Sequence, residues 1–201
     1  VEGHGLRLHH LDLGGGLGIA YTDETPPSAE ALVRALLARI AERGHTHRRL
    51  LFEPGRSLVG NAGVLVGEVL YLKPSRVKNF CIVDAAMNDL MRPAMYQAWM
   101  QIAACTQREA PPLTWDVVGP VCESGDWLGR DRQLAVEAGD FLAVLSAGAY
   151  AMSMASNYNS RGRAAEVMVS GADAWLIRER EQPAELFRGE RPDGRTAGNQ
   201  P

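Results

Sequence analysis

Lysine is nearly absent from this sequence of 201 residues. Only Lys73 and Lys78 are present, and arginine supplies the other positively charged side chains. Because Lys73 and Lys78 flank a Pro-Ser turn in a β-rich stretch, we expect both to be solvated charges on a β-ribbon. The sequence therefore offers no lysine nucleophile before Lys73.

Other scarcities exclude whole classes of protein. There is no run of about 18 apolar residues, so no membrane span is expected, and no basic-then-apolar leader of the secretory kind is expected either. The formal net charge of −3 argues against a general nucleic-acid surface. The three cysteines, Cys81, Cys105 and Cys122, cannot all pair and lack C-x-x-C spacing, which predicts a reducing, cytoplasmic location and no metal site.

The first methionine is Met87. We therefore interpret the sequence as the C-terminal portion of a longer chain, with Val1 not a natural start. Hydrophobic residues make up 46 % of the sequence, which is an ordinary globular profile.

The first 62 residues have the pattern of an α/β unit. Leu6–Leu13 is apolar enough for a buried strand and ends in consecutive glycines. A helical pattern follows, with Ser28 as N-cap and Gly44 as C-terminal stop, and Leu50–Phe52 predicts a second strand. Strand, helix and strand in this order are typical of α/β architecture.

After about Ala62 the pattern changes to β-rich runs separated by Gly, Pro and Asp. These runs predict an antiparallel sheet or small barrel, interrupted by one helical patch over Arg92–Ala103. We expect three regions: an α/β part over 1–62, a β-rich domain over 63–188, and a polar, disordered tail over 189–201.

The glycine run Gly14–Gly16 is compatible both with a tight turn and with a phosphate cradle. It does not fit G-x-G-x-x-G, because Ile19 and Tyr21 stand where the last glycine would be, and no P-loop lysine follows. The stretch Glu53–Arg56 ends the next strand, so both loops should open on the same edge of the sheet.

Six stretches, in order, resemble the fold-type III, pyridoxal-phosphate-dependent decarboxylases of basic and dibasic amino acids. They are LDLGGGLG, FEPGRSLVG, MRPAMY, VVGPVCESGDWL, SAGAY and NYNSRGRAAEV. The resemblance implies the last βα units of a (β/α)₈ barrel, followed by a β-rich C-terminal domain that is barrel-like or sandwich-like. It also implies that the cofactor is pyridoxal 5′-phosphate (PLP).

In this family the glycine loop binds the cofactor phosphate, and the acid of the EPGR motif bonds the pyridine nitrogen. The resemblance carries these cofactor-binding roles over to Gly14, Gly15, Gly16, Glu53, Pro54, Gly55, Arg56 and Tyr150. Alone, Glu53 would be read as a surface carboxylate before a turn, and Tyr150 as an ordinary aromatic residue.

Substrate-binding roles are carried over in the same way to Arg56, Arg92, Tyr96, Glu123 and Tyr150. Arg92 and Tyr96 lie four apart on one helical face and would meet a distal carboxylate, while Glu123 suits a distal ammonium. Cys122 would donate the proton that replaces CO₂, with Asp126 ordering its loop. An isolated R-P-x-x-Y is more often a solvated arginine and a core tyrosine, and a lone cysteine is usually buried and inert, as we expect for Cys81 and Cys105.

The implied activity is decarboxylation of meso-2,6-diaminopimelate to L-lysine and CO₂. Carboxynorspermidine, ornithine or arginine are alternative substrates, and a non-catalytic decarboxylase-like binding protein is the alternative class. The resemblance implies a homodimer with shared active sites, and no nucleic-acid or membrane partner. Because the lysine that carries the family's cofactor is missing, we expect the printed chain alone to be inactive.

Overall fold

The computed structural model describes residues 2–191. Its N-terminal part is a short parallel pair of strands joined by a helix. Strand β1 (His10–Asp12) pairs with β2 (Arg49–Leu51), with Leu11 opposite Leu50, and α1 (Ala29–Glu42) connects them. A 3₁₀ turn (Glu2–His4) precedes β1.

The ends of α1 agree with the sequence pattern. The Ser28 side chain accepts a hydrogen bond from the backbone N–H of Ala31 at 3.1 Å, which confirms it as the N-cap. Gly44, just past the helix, has φ of +74°, a conformation that glycine adopts without strain.

The first strand is shorter and more exposed than predicted. Only His10–Asp12 pairs as a strand, and His10 and Asp12 are exposed, so a buried strand over Leu6–Leu13 was wrong. The physical reason is that β1 pairs with β2 alone, in a sheet of two short strands. An apolar run becomes a buried strand only where another element packs against it.

A six-stranded sheet forms the second part of the chain. A short helix, α2 (Gly55–Val59), and a 3₁₀ turn (Gly60–Ala62) lead into it. Its strands are β3 (Leu65–Lys73), β4 (Phe80–Val83), β5 (Ile102–Ala104), β6 (Leu113–Val118), β7 (Trp127–Leu134) and β8 (Phe141–Val144).

The strand order is β5-β8-β3-β4-β6-β7. Every pairing is antiparallel except β4 with β6, which is parallel. The β4–β6 pair alone departs from the predicted antiparallel arrangement, because the chain crosses over between these two strands. The edge strands β5 and β7 contact each other, so the sheet curls into a nearly closed barrel.

The helical patch is half as long as predicted. Helix α3 (Met91–Tyr96) ends at Gln97, whose φ of +53° is left-handed, so a helix over Arg92–Ala103 was wrong. Met100 is fully buried beyond this point, and Ile102 pairs with Val144 as part of β5. Core burial and sheet pairing override the local helical pattern there.

The barrel encloses the main hydrophobic core. Every buried member of this cluster lies between Val69 and Ala151. Cys81 is completely buried in it, and burial raises the pKa of this thiol to about 11, as expected of an inert core cysteine. Cys105 is exposed, so its expected burial was wrong: it follows the edge strand β5 rather than a central one.

An exposed hairpin of β9 (Glu166–Ser170) and β10 (Asp173–Arg178) follows the barrel. Three further 3₁₀ turns lie at Met152–Met154, Tyr158–Ser160 and Pro183–Glu185. Most of the predicted tail, 192–201, lies outside the described residues. Within the described residues, no helix has the length and apolar character to cross a membrane.

Candidate active site

The glycine loop and the Glu53 loop emerge from the same edge of the two-stranded sheet. Because β1 and β2 are parallel, their carboxyl ends meet there. The pairing continues past the strands: the N–H of Leu13 donates to the carbonyl of Leu51 at 3.0 Å, and the N–H of Glu53 donates to the carbonyl of Gly14 at 2.8 Å. The expected convergence of the two loops is confirmed.

Contact between the loops requires a glycine at position 15. A Cβ on Gly15 would lie 2.1 Å from the carbonyl oxygen of Glu53, which is far inside van der Waals contact. Gly15 therefore lets the two backbones touch, and this answers why the sequence places a glycine at the centre of the run.

The remaining surface of the glycine loop fits an anion. Gly14 and Gly16 have φ of +67° and +92°, and a Cβ on either would meet open space. Asp12 already accepts the N–H of Gly14 at 2.8 Å, whereas no described residue accepts from the N–H of Gly15, Gly16 or Leu17. Successive backbone N–H groups without an acceptor could hold an anion such as a phosphate.

Arg56 and Glu53 lie beside this loop. The Arg56 guanidinium donates to the carbonyls of Gly16 at 2.7 Å and Leu17 at 3.2 Å, so Arg56 fixes the far side of the glycine loop. The Glu53 side chain is exposed and accepts no hydrogen bond from any described residue. Its carboxylate is therefore available to a ligand.

A third loop, Ser146–Tyr150, joins the barrel to these two. A Cβ on Gly148 would lie 1.8 Å from the carbonyl oxygen of Val59, and the N–H of Gly148 donates to the carbonyl of Gly60 at 3.0 Å. Asn61 bridges the loops, donating to the carbonyl of Ala20 at 2.9 Å and to Ser146 Oγ at 2.8 Å.

Tyr150 ends this third loop in an unusual backbone conformation. Its φ is +61°, which is uncommon for a side chain of its size. The ring is partly exposed, and its centroid lies 5.5 Å from Cζ of Arg92. Backbone strain of this kind is often found where a side chain must be held in one direction.

Arg92 lies close to two tyrosine rings. Its Cζ lies 5.1 Å from the centroid of Tyr21 as well as 5.5 Å from that of Tyr150. Nη1 of Arg92 also donates to the hydroxyl of Tyr21. No carboxylate of the described residues lies within ion-pair distance of Arg92.

Tyr96 is exposed on the same helix as Arg92. Although it is one turn beyond Arg92 on α3, its side chain is 61 % exposed and has no hydrogen bond with a described residue. The alternative interpretation, a core tyrosine, is excluded by that exposure.

The Cys122–Glu123 loop is ordered by Asp126. The buried carboxylate of Asp126 accepts the N–H of Met87 and the N–H of Val121, each at 2.7 Å. Burial raises the pKa of Asp126 despite these hydrogen bonds, which lower it. The expected ordering role of Asp126 is consistent with these contacts.

Cys122 and Glu123 are exposed on this loop. Glu123 accepts hydrogen bonds from the Tyr158 hydroxyl at 3.2 Å and the N–H of Gly125 at 3.0 Å, and the first of these raises the pKa of Tyr158. Among the described residues, no hydrogen bond or ion pair joins Cys122 or Glu123 to the glycine loop or to Arg92.

Sequence reasoning missed Tyr21, Asn61 and Tyr158. In the sequence, Tyr21 marks only the position where the dinucleotide pattern breaks. Its position two residues beyond Ile19, which is buried against Gly60, was the available signal. Asn61 and Tyr158 make contacts across 85 and 35 residues, which no local pattern could reveal.

Comparison with known proteins gives one consistent result. Residues 19–148 match the family model of the pyridoxal-dependent decarboxylase C-terminal sheet domain. The diaminopimelate decarboxylase of Pseudomonas aeruginosa is 56 % identical over 190 residues, covering 94 % of this chain and 45 % of that protein. That of Vibrio cholerae is 52 % identical, covering 93 % of this chain and 44 % of that protein.

Solved structures agree. Diaminopimelate decarboxylase from M. jannaschii in co-complex with L-lysine has a TM-score of 0.86 and 41 % identity, covering 94 % of this chain and 44 % of that one. SrLDC in complex with PLP and cadaverine has a TM-score of 0.68 and 25 % identity, covering 81 % of this chain and 42 % of that one. The chain thus spans less than half the length of these relatives.

Proposed function

Because this chain belongs to the pyridoxal-dependent decarboxylase family, we propose that the full-length protein decarboxylates meso-2,6-diaminopimelate to L-lysine and CO₂ with PLP as cofactor. The single observation that carries the proposal is the convergence of the glycine loop and the Glu53 loop, which places free N–H groups beside an unengaged carboxylate. The β1–α1–β2 unit would be the last part of a (β/α)₈ barrel whose other strands belong to the rest of the protein.

PLP, when bound, withdraws electrons from the carbon that loses its carboxylate. The N–H groups of Gly15, Gly16 and Leu17 would hold its phosphate, because they have no acceptor within the described structure. Gly14 contributes its bare backbone and left-handed turn rather than its N–H, which Asp12 already accepts. Tyr150 would add a hydroxyl donor to the phosphate.

Glu53 would hold a proton on the cofactor ring nitrogen through a charge-assisted hydrogen bond. Pro54 and Gly55 form the start of α2 and set the direction in which Glu53 leaves β2. Arg56 keeps the opposite wall of the site in place through Gly16 and Leu17, and its remaining N–H groups can meet a carboxylate.

Arg92 would bind the distal carboxylate of the substrate. It is cationic, it lies close to two tyrosine rings, and it has no acidic partner in the described structure. Tyr96, exposed on the same helix, would add a hydroxyl to this end of the substrate once the rest of the protein covers it.

Cys122 and Glu123 would act in the site of a second copy of the protein. Their loop is exposed yet held in shape by Asp126, and it has no hydrogen bond or ion pair with the glycine loop of its own chain. In the partner's site Glu123 would bind the distal ammonium, and the Cys122 thiol would give its proton to the carbon that has lost CO₂. A twofold homodimer exchanges both loops at once.

The test is decarboxylation by the full-length protein loaded with PLP. We expect CO₂ release from meso-2,6-diaminopimelate in preference to ornithine, arginine and carboxynorspermidine. Glu53→Gln should lower kcat by about a hundredfold or more, since it removes a charged group from the reacting system. Glu109→Gln, at an exposed residue outside the site, is the matched control and should retain full activity.

Preference for ornithine or carboxynorspermidine would overturn the substrate assignment. Full activity in Glu53→Gln would overturn the role of Glu53. The 201-residue chain alone is expected to release no CO₂, because neither of its two lysines lies on the β1–α1–β2 unit.

A further inference from the structure

The hydroxyl of Tyr21 accepts a hydrogen bond from Arg92 and has no acceptor of its own in the described structure. A phenol has one proton to donate and can accept at its oxygen. Here the acceptor side is taken by a cationic N–H, so the phenolic proton remains available. Acceptance from a cation polarises the hydroxyl and makes it a stronger donor.

Most N–H donors of the Arg92 guanidinium also lack an acceptor in the described structure. A guanidinium has five N–H donors, and the bond to Tyr21 is the only hydrogen bond that the Arg92 guanidinium makes with a described residue. The rings of Tyr21 and Tyr150 both lie close to the guanidinium, with centroids 5.1 and 5.5 Å from its Cζ. Arg92 and Tyr21 therefore present several donors, one cation and no acceptor.

Hydrogen bonds fix the backbone on both sides of Tyr21. Glu24 accepts the backbone N–H of Thr22 at 2.6 Å and of Tyr21 at 2.9 Å, and these hydrogen bonds lower the pKa of Glu24 to about 2. On the other side, Asn61 binds the carbonyl of Ala20 at 2.9 Å. The Tyr21 ring packs against the barrel core.

We infer that Tyr21 is a positioning and specificity residue, which orients Arg92 and donates its own hydroxyl proton to the same distal carboxylate of the substrate. This inference rests on the proposed function, because it assigns the carboxylate-recognising end of that site. A carboxylate has two oxygens with lone pairs for several donors, so Arg92 and Tyr21 can bind it together. A substrate without that carboxylate would leave both groups unpartnered and gain nothing from Tyr21.

The experiment compares two ligands that differ only by the carboxylate, L-lysine and cadaverine. Dissociation constants are measured by titration calorimetry on the full-length, PLP-loaded protein, for wild type and Tyr21→Phe. The substitution keeps the ring that packs on Arg92 and the core, and it removes only the hydroxyl. Tyr71→Phe is the matched control, since Tyr71 is an exposed residue on β3.

We expect Tyr21→Phe to weaken L-lysine binding by about tenfold to a hundredfold, the range for one hydrogen bond to a charged group, and to leave cadaverine binding unchanged. Tyr21→Phe should also raise the KM for diaminopimelate. The dissociation constants and KM of Tyr71→Phe should equal those of wild type. Equal weakening of both ligands would overturn the inference, because Tyr21 would then act only on the shape of the site.

Unchanged binding of L-lysine in Tyr21→Phe would also overturn it. Failure of the proposed function is a separate result: the wild-type protein would then not release CO₂ from diaminopimelate, whatever Tyr21→Phe does to the ratio of the two dissociation constants. Tyr21→Leu, which removes the ring as well, should weaken L-lysine further.

Discussion

The β1–α1–β2 unit with its loops and the six-stranded barrel differ in how they are held together. The barrel has a continuous buried core between Val69 and Ala151. In the β1–α1–β2 unit the only buried member of α1 is Ile40, and both strands have three residues. The proposed chemistry lies mainly in the unit that has little core of its own.

The site therefore takes its shape from contacts with the barrel. Asn61, Gly63 and Gly148 connect the loops of the β1–α1–β2 unit to the loop that follows β8. These contacts are backbone approaches and hydrogen bonds rather than apolar burial. Backbone contacts are short-ranged, so a small steric change at this junction should have a large effect.

The largest expected effect comes from breaking that junction with Gly148→Ala. The added methyl would lie 1.8 Å from the carbonyl oxygen of Val59 and 2.9 Å from the N–H nitrogen of Gly63. Backbone on both sides has to move, so we expect the free energy of unfolding of the full-length protein to fall by at least about 1–3 kcal/mol. Diaminopimelate decarboxylation should fall as well, because Tyr150 moves with the loop.

Urea denaturation and turnover measure the two consequences. Gly189→Ala is the control, because an added methyl there meets nothing within 4 Å. A Gly148→Ala protein with wild-type denaturation midpoint and activity would show that the junction is not what connects the two regions.

The sequence predicted most of the β1–α1–β2 unit for physical reasons that are local. The Ser28 cap and the Gly44 stop are decided within one helical turn, and the parallel strand ends follow from the strand–helix–strand order. Gly14–Gly16 signalled that backbone had to come close to something, and Gly15 against Glu53 is that approach.

What the sequence could not predict depends on distant partners. Ile102 lies in a helical pattern but pairs with Val144, 42 residues away, and β4 pairs in parallel with β6 because of a crossover that no local signal specifies. Tyr21 was missed since its importance depends on Arg92, which lies 71 residues further along the chain.

A smaller difference between the two regions is expected in how much their ion pairs contribute to thermal stability. In the barrel, Arg108 donates to both carboxylate oxygens of the buried Asp140, at 2.7 and 2.9 Å. The Arg108 hydrogen bond lowers the pKa of Asp140, followed by the backbone N–H of Glu137. On α1, the pair of Arg34 and Glu30 is almost fully solvated, and such pairs contribute little.

Because the folded pKa of Asp140 is below its unfolded value of about 4, its stabilisation is present above that value and is lost as pH falls through the folded pKa. Asp140→Asn should therefore lower Tm at pH 7, and the difference from wild type should shrink as the pH is reduced towards 3. The Tm of Glu30→Gln should equal that of wild type at every pH in this range. Thermal scans of the full-length protein between pH 7 and 3 measure this, and a constant Tm difference for Asp140→Asn would contradict it.

The smallest expected effect is Ser28→Ala at the N-cap of α1. Loss of the hydrogen bond to Ala31 should cost about 1 kcal/mol of helix stability, while Ser153→Ala, at an exposed position outside α1, should cost less. The informative readout is amide hydrogen exchange, since regions with few buried contacts open separately from the core. Faster exchange confined to α1, with β3 and β8 unchanged, would show that the β1–α1–β2 unit opens independently of the barrel. Faster exchange in both regions would instead show that the junction at Gly148 makes them one cooperative unit, and the Gly148→Ala effect should then be global as well.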